Sequence, residues 1–137
     1  MEPKFYKNWE DNNHCLQAAV MMVLNALGKE TSWDEVNRMT QYENNLYSWN
    51  TIATIVLAEK IGGAKLISSV IDYKEFAERG EEYLRSVMRP DLFEDQRRHA
   101  SPGFLKERQG ARELAARNLF EYRKITISEI ENLLSDN

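Results

Sequence analysis

The run CLQAAVMMVLNAL, residues 15–27, constrains this chain more than any other stretch, because it holds no charge and only Gln17 and Asn25 are polar. A single helix of this length is too short for the roughly 20 residues that span a bilayer, so it must find its apolar surroundings inside a folded protein. Helix signals flank it. Asn12 or Asn13 stands where an N-cap is expected, and Gly28 stands where a C′ residue with positive φ ends a helix. A helix apolar on nearly every side is expected to be buried on nearly every side, which predicts that residues 14–27 form the centre of the fold.

The remaining pattern is also mainly helical. TSWDEVNRM opens a short second helix, with Ser32 and Glu35 at capping-box spacing. YSWNTIATIVLAEKIGG reads as an amphipathic third, stopped by Gly62 and Gly63. AKLISSVI is the one strand candidate, short and β-branched after a glycine pair. DYKEFAERGEEYLRSVM reads as one helix carrying Gly80 inside it and ended by Pro90. A short helix over 91–100 is expected next. SPGFLKERQGARELAARNLFEYRK follows as a separate helix with Ser101 as cap and Pro102 at its first position. TISEIENLLS closes the pattern, opened by Thr126 and Glu129.

At 137 residues the chain fits one domain, 1–137. A single cysteine rules out an internal disulfide and suits a reducing cytoplasm. Residues 1–14 lack the apolar core of a signal peptide. Charge is uneven. Residues 96–124 carry eight Lys or Arg against three Asp or Glu, whereas residues 1–95 carry ten against sixteen. The basic residues alternate with Glu107, Glu113 and Glu121 on a helical stretch, more often the pattern of a solvated face than of a nucleic-acid surface, which stays the weaker reading.

The available chemistry centres on Cys15. A thiol in the first turn of a helix faces backbone N–H groups and the positive end of the dipole, which favour the reactive thiolate. A nucleophile also needs a base and oxyanion donors. The chain has two histidines. His14 neighbours Cys15, but adjacent helical residues point about 100° apart. His99 lies in the polar segment DQRRHASPG and is the other candidate base. Asn8, Asp11, Asn12, Asn13 and Gln17 surround the thiol in sequence, and the amides among them are potential oxyanion donors. The spacing needed for a metal site, a phosphate-cradling loop or a serine elbow is missing, so no cofactor is expected. The alternative role for Cys15 is that of a small buried apolar side chain.

NNHCLQAAVMMVLNALGKETSWDEVNRMT resembles the opening of papain-like cysteine peptidases of the bacteriocin-processing, double-glycine leader type. The matching residues are Cys15, Ala18, Ala19, Met22, Val23, Leu24, Gly28, Lys29, Ser32, Glu35 and Val36. YSWNTIATIVLAEKIGG resembles the family's next helix, and IDYKEFAERGEEYL resembles an insertion in a cytoplasmic branch. The resemblance spans about residues 3–88. It implies an α+β, papain-like fold in which Cys15 attacks an amide or thioester carbonyl of a peptide substrate. Two departures accompany it. The family's oxyanion glutamine has no equivalent, Asn8 or Trp9 falling nearest, and its Cys-Gly pair is Cys15-Leu16 here. In the family a helix like ISEIENLLSDN precedes an antiparallel sheet that supplies the catalytic histidine. The resemblance therefore implies a mostly helical N-terminal lobe, cut off after Asn137 and lacking that sheet and its base. Two functions stay open. One is a cysteine-peptidase-like hydrolase. The other is a non-catalytic helical module that oligomerises or captures a partner through an uncovered apolar face.

Overall fold

A computed structural model describes Tyr6 and residues 14–40 and 50–135. The apolar run folds as α1 (Cys15–Ala26) and closes as expected. Leu27 is its C-cap, Gly28 takes φ +73°, and Lys29 N–H reaches Leu24 O at 2.8 Å while Gly28 N–H reaches Asn25 O at 2.9 Å. This paired closure is a Schellman motif, which supplies donors for carbonyls that the helix itself leaves open. The N-cap is His14 without a capping side-chain bond, and the expected caps Asn12 and Asn13 lie outside the described residues. Then α2 (Trp33–Met39) begins at Ser32, whose Oγ accepts from Glu35 N–H at 3.2 Å.

The central helix is not α1 but α3 (Asn50–Ile61). Val20, Met21 and Leu24 of α1 pack with Val36 of α2 and Ala53 of α3, but Ala19, Val23 and Leu27 on the opposite face are exposed. In α3 every residue from Thr51 to Ile55 is buried. Ala53 belongs to the cluster with α1, and Ile55 belongs to a second, larger cluster. Small side chains explain the exchange of roles. Thr51, Ala53, Thr54 and Ala58 let other helices approach α3 from two sides, whereas α1 buries one face, against α2 and α3.

The segment expected as one helix over 72–88 is two, α4 (Tyr73–Arg79) and α5 (Glu81–Val87), broken at Gly80. Gly80 has φ +61° and ψ −136°, a conformation that side chains with a Cβ avoid. The Arg108 guanidinium donates to Ala77 O at 3.0 Å and to Glu78 O at 2.7 Å, serving the open carbonyls at the end of α4. A Cβ on Gly80 would lie 2.8 Å from Arg108 Nη1, so the break and the cap are one device.

The boundary expected at Ser101 is also absent. Residues 90–116 form one continuous helix, α6 (Pro90–Ala116), with Pro90 in its first turn and Pro102 in its interior. An interior proline removes a backbone donor and normally bends or breaks a helix. Here the buried stripe Phe93, Phe104, Glu107, Ala111, Leu114 stays in phase across it, and packing on α3, α4 and α5 holds the helix together.

The same expected helix ends early. Asn118 takes φ +53°, Leu119 N–H reaches Leu114 O at 2.9 Å, and Asn118 N–H reaches Ala115 O at 3.2 Å, a second Schellman closure. The chain then forms β2 (Phe120–Tyr122). It pairs parallel with β1 (Leu66–Ser68), the strand expected from AKLISSVI, in the register Leu66–Phe120. The fold is thus mainly helical with a two-stranded parallel sheet. Finally α7 (Ile127–Ser135) starts at Thr126, whose Oγ1 accepts from Glu129 N–H at 3.3 Å, as its capping pattern predicts.

Candidate functional site

Cys15 is the first residue of α1 and its side chain is exposed, so it is not a buried packing residue. His14 is buried, its ring meeting Trp33 edge-on at 5.9 Å between centroids. Gln17 has no exposed surface, and its Nε2 donates to Thr40 Oγ1 at 2.9 Å. That bond ties α1 to the end of α2, so Gln17 is an internal strut and not an oxyanion donor. Asn8, Trp9, Asp11, Asn12 and Asn13 lie outside the described residues. His99 falls within α6, with its side chain outside what is described. Its helix packs on α3, α4 and α5, while α1 packs on α2 and α3. Among the described residues the structure brings no base to Cys15.

The basic segment is largely spent inside the molecule. Arg108 and Arg112 reach Ala77 O, Arg117 pairs with Glu59 and Glu113, and Arg123 pairs with Glu121 and Glu129. Glu113 and Glu121 are surface partners, as expected of a solvated face. Glu107 is not. It is 6 % exposed, which corrects its assignment to that face.

Three donors converge on the Glu107 carboxylate. Thr51 Oγ1 donates to Oε2 at 2.6 Å, and the Thr51 backbone N–H and the Tyr73 hydroxyl of α4 are near enough to favour its charged form. Asn50 in turn donates to the Tyr73 oxygen. The arrangement has a local cause. Thr51 lies in the first turn of α3, where backbone N–H groups lack helical partners and the dipole favours an anion. Glu107 therefore caps a neighbouring helix from across the core. Burial still dominates over these donors and pushes its pKa up to about 7. Burial, followed by the nearby Glu107 charge, raises Tyr73 above the ordinary tyrosine range, so its phenol stays protonated.

Beside this carboxyl lies a cleft of about 200 Å³ between α3, α4, α5 and α6. Ile71, Phe76, Leu84, Met88 and Phe104 form its apolar lining, and Asn50, Tyr73, Gln96 and Glu107 its polar lining. One turn beyond Glu107 along α6, Gly110 brings that helix close to Thr51 of α3. Phe104, one turn before Glu107, stacks on Phe93 at 6.1 Å with planes 9° apart. No family model, curated protein or solved structure matches this chain. The site is accordingly read from its geometry. An apolar cleft with a few convergent polar groups and a titratable residue of shifted pKa has the character of a ligand site.

Sequence reasoning missed Glu107 because charged neighbours surround it in the chain. One signal was present. Phe104, Glu107, Ala111 and Leu114 share a helical stripe, so a carboxylate stood in phase with three apolar residues. Among the described residues no group of His, Cys, Asp or Glu is arranged to hold a metal ion. No helix there is long and apolar enough to cross a membrane.

Proposed function

We propose that this chain is a helical binding module that takes a small ligand in the α3–α6 cleft. The observation that carries the reading is the cleft itself, lined by both apolar and polar side chains and bearing one buried carboxyl that accepts from the Thr51 hydroxyl. Structural roles account for the donors, since Glu107 caps α3. They do not account for open volume beside the carboxyl, where a stability-optimised core would place side chains. The test is an amide NMR titration with 2-phenylethanol and 2-phenylethylamine. Shifts should concentrate at Phe76, Leu84, Met88 and Phe104 and vanish in Met88→Trp, which fills the cleft. Shifts scattered over the surface, or none, would refute the reading.

The exposure of Cys15 at the first turn of α1 favours a second reading, a papain-like cysteine-peptidase domain whose base comes from other groups than those around α1. It predicts alkylation of Cys15 by iodoacetamide at neutral pH faster than that of free cysteine. A rate equal to or below that of free cysteine would eliminate it.

A further inference from the structure

We infer that the α3–α6 cleft selects organic cations, specifically small primary amines with a compact apolar body of about one aryl ring. The inference rests on the binding-module reading above and adds the chemical class of its ligand.

The charge pattern around the cleft is the first argument. Several exposed carboxylates have cationic partners: Glu75 with Arg79, Glu113 with Arg117, Glu121 with Lys65, Glu129 with Arg123. Glu107 is buried, and none of the interactions acting on its carboxyl comes from a Lys, Arg or His among the described residues. The adjacent Arg108 is directed away, to the carbonyls of Ala77 and Glu78. A buried anion without a counter-charge is the costly case, and hydroxyl donors offset only part of its desolvation. An ammonium group in the cleft supplies the absent charge and a further hydrogen bond.

Acceptor capacity points the same way. An ionised carboxylate offers about four acceptor sites. The Thr51 hydroxyl takes one of them, and the Thr51 backbone N–H and the Tyr73 hydroxyl stand near two others at most. Glu107 lines the cleft, so the open site is available to a ligand donor. A neutral alcohol would fill that site without adding charge, and a carboxylate ligand would be repelled.

Size sets the rest of the ligand. A cavity of about 150 Å³ lined by Leu, Ile and Phe side chains takes benzene. This cleft is about 200 Å³, so a phenyl ring with a two-carbon amine arm fits. Ile71, Phe76, Leu84, Met88 and Phe104 would contact the ring.

The test is calorimetric titration of the whole chain at pH 8 with 2-phenylethylamine, 2-phenylethanol and 3-phenylpropanoate. The amine should bind about tenfold tighter than the alcohol, the scale of one charge-assisted hydrogen bond, and the carboxylate should not bind. In Glu107→Gln the amine's advantage should disappear. The wild-type chain tested at pH 5.5 gives the same readout without a substitution. The groups around the cleft are Asn50 and Thr51 from α3, Tyr73 and Phe76 from α4, Leu84 from α5, and Gln96 and Phe104 from α6. Among the described residues lining the cleft, Tyr73 is the only other titratable one, and it stays protonated at both pH values. Protonation of Glu107 should therefore remove the selectivity. Equal binding of amine and alcohol at pH 8 would overturn the inference while leaving the cleft a ligand site. Failure of both to bind would overturn the cleft reading too.

Discussion

Gly110 lies one turn beyond Glu107 on α6, where that helix comes close to Thr51 of α3. A Cβ at this position would stand 2.1 Å from Thr51 Oγ1 and 2.8 Å from Thr51 Cβ. Turning the threonine moves the oxygen but not the β-carbon, and Thr51 has no exposed surface into which to retreat. Alanine at an interior helical site gains about 1 kcal/mol of propensity over glycine. Against that, forcing a methyl into a packed core costs about 1–3 kcal/mol. Displacing the 2.6 Å hydroxyl bond to the Glu107 carboxyl removes about 1.5–3 kcal/mol more. Gly110→Ala should therefore destabilise the chain by about 3 kcal/mol. With an unfolding entropy of about 2.1 cal/mol/K per residue, that lowers Tm by about 10 °C. Thermal melts followed by circular dichroism, with urea titrations as a second measure, read the change directly. The mechanism has a sharper signature in a Thr51→Gly background, where both clashing atoms are gone. There the alanine should cost little or restore up to about 1 kcal/mol. A wild-type-like Tm for Gly110→Ala, or an equal penalty in both backgrounds, would refute the close approach.

Three further outcomes are expected. Glu107 has its folded pKa raised to about 7, above its unfolded value, so folding binds a proton and the favourable contribution is complete below about pH 4.5. That contribution is lost as pH rises through 7. Urea unfolding should show stability falling by about 3 kcal/mol from pH 4.5 to 8 through this group, and Glu107→Gln should flatten that slope. Gly80→Ala should cost about 1–3 kcal/mol, because φ +61° with ψ −136° strains any Cβ and the methyl displaces Arg108 from the end of α4. Urea midpoints measure it, and Arg108→Ala in the same background should add little. Cys15→Ser should change stability by less than about 0.5 kcal/mol, since the thiol is exposed, while abolishing alkylation.

Local signals were legible in the sequence and long-range ones were not. Gly28, Ser32 and Thr126 act within a few residues of themselves, and each performs the capping role its pattern predicts. The strand at Leu66–Ser68 followed from a glycine break and β-branched residues. Asn118 carried the same kind of message as Gly28, yet the helical periodicity before it ran on through Phe120–Tyr122 and masked the turn. Pro102 sent a local stop signal that packing overrode. The exchange of α1 for α3 as the central helix reflects a limit of hydrophobicity as a guide. Burial followed from how closely neighbours approach, which small residues permit, more than from how apolar the run is. Glu107 depends on Thr51, 56 residues away, and on Tyr73 of another helix, so beyond its place in an apolar stripe nothing near it in the chain discloses the site.

The parallel pairing of β1 with β2 has a consequence for the order in which the chain gains structure. Leu66 and Phe120 are 54 residues apart, and joining the ends of a flexible loop that long costs about 3.5 kcal/mol in chain entropy beyond the constant term. Three residue pairs of ladder repay little of that, so the strands meet only after α4, α5 and α6 have drawn them together. The ladder is then a late latch, closed once the helices are in place. Its Phe120 touches the ring of Tyr73, 5.4 Å between centroids, and Tyr73 forms one wall of the cleft. Phe120 is itself buried in the larger core cluster, so the late strand closes the core behind the Tyr73 wall of the cleft.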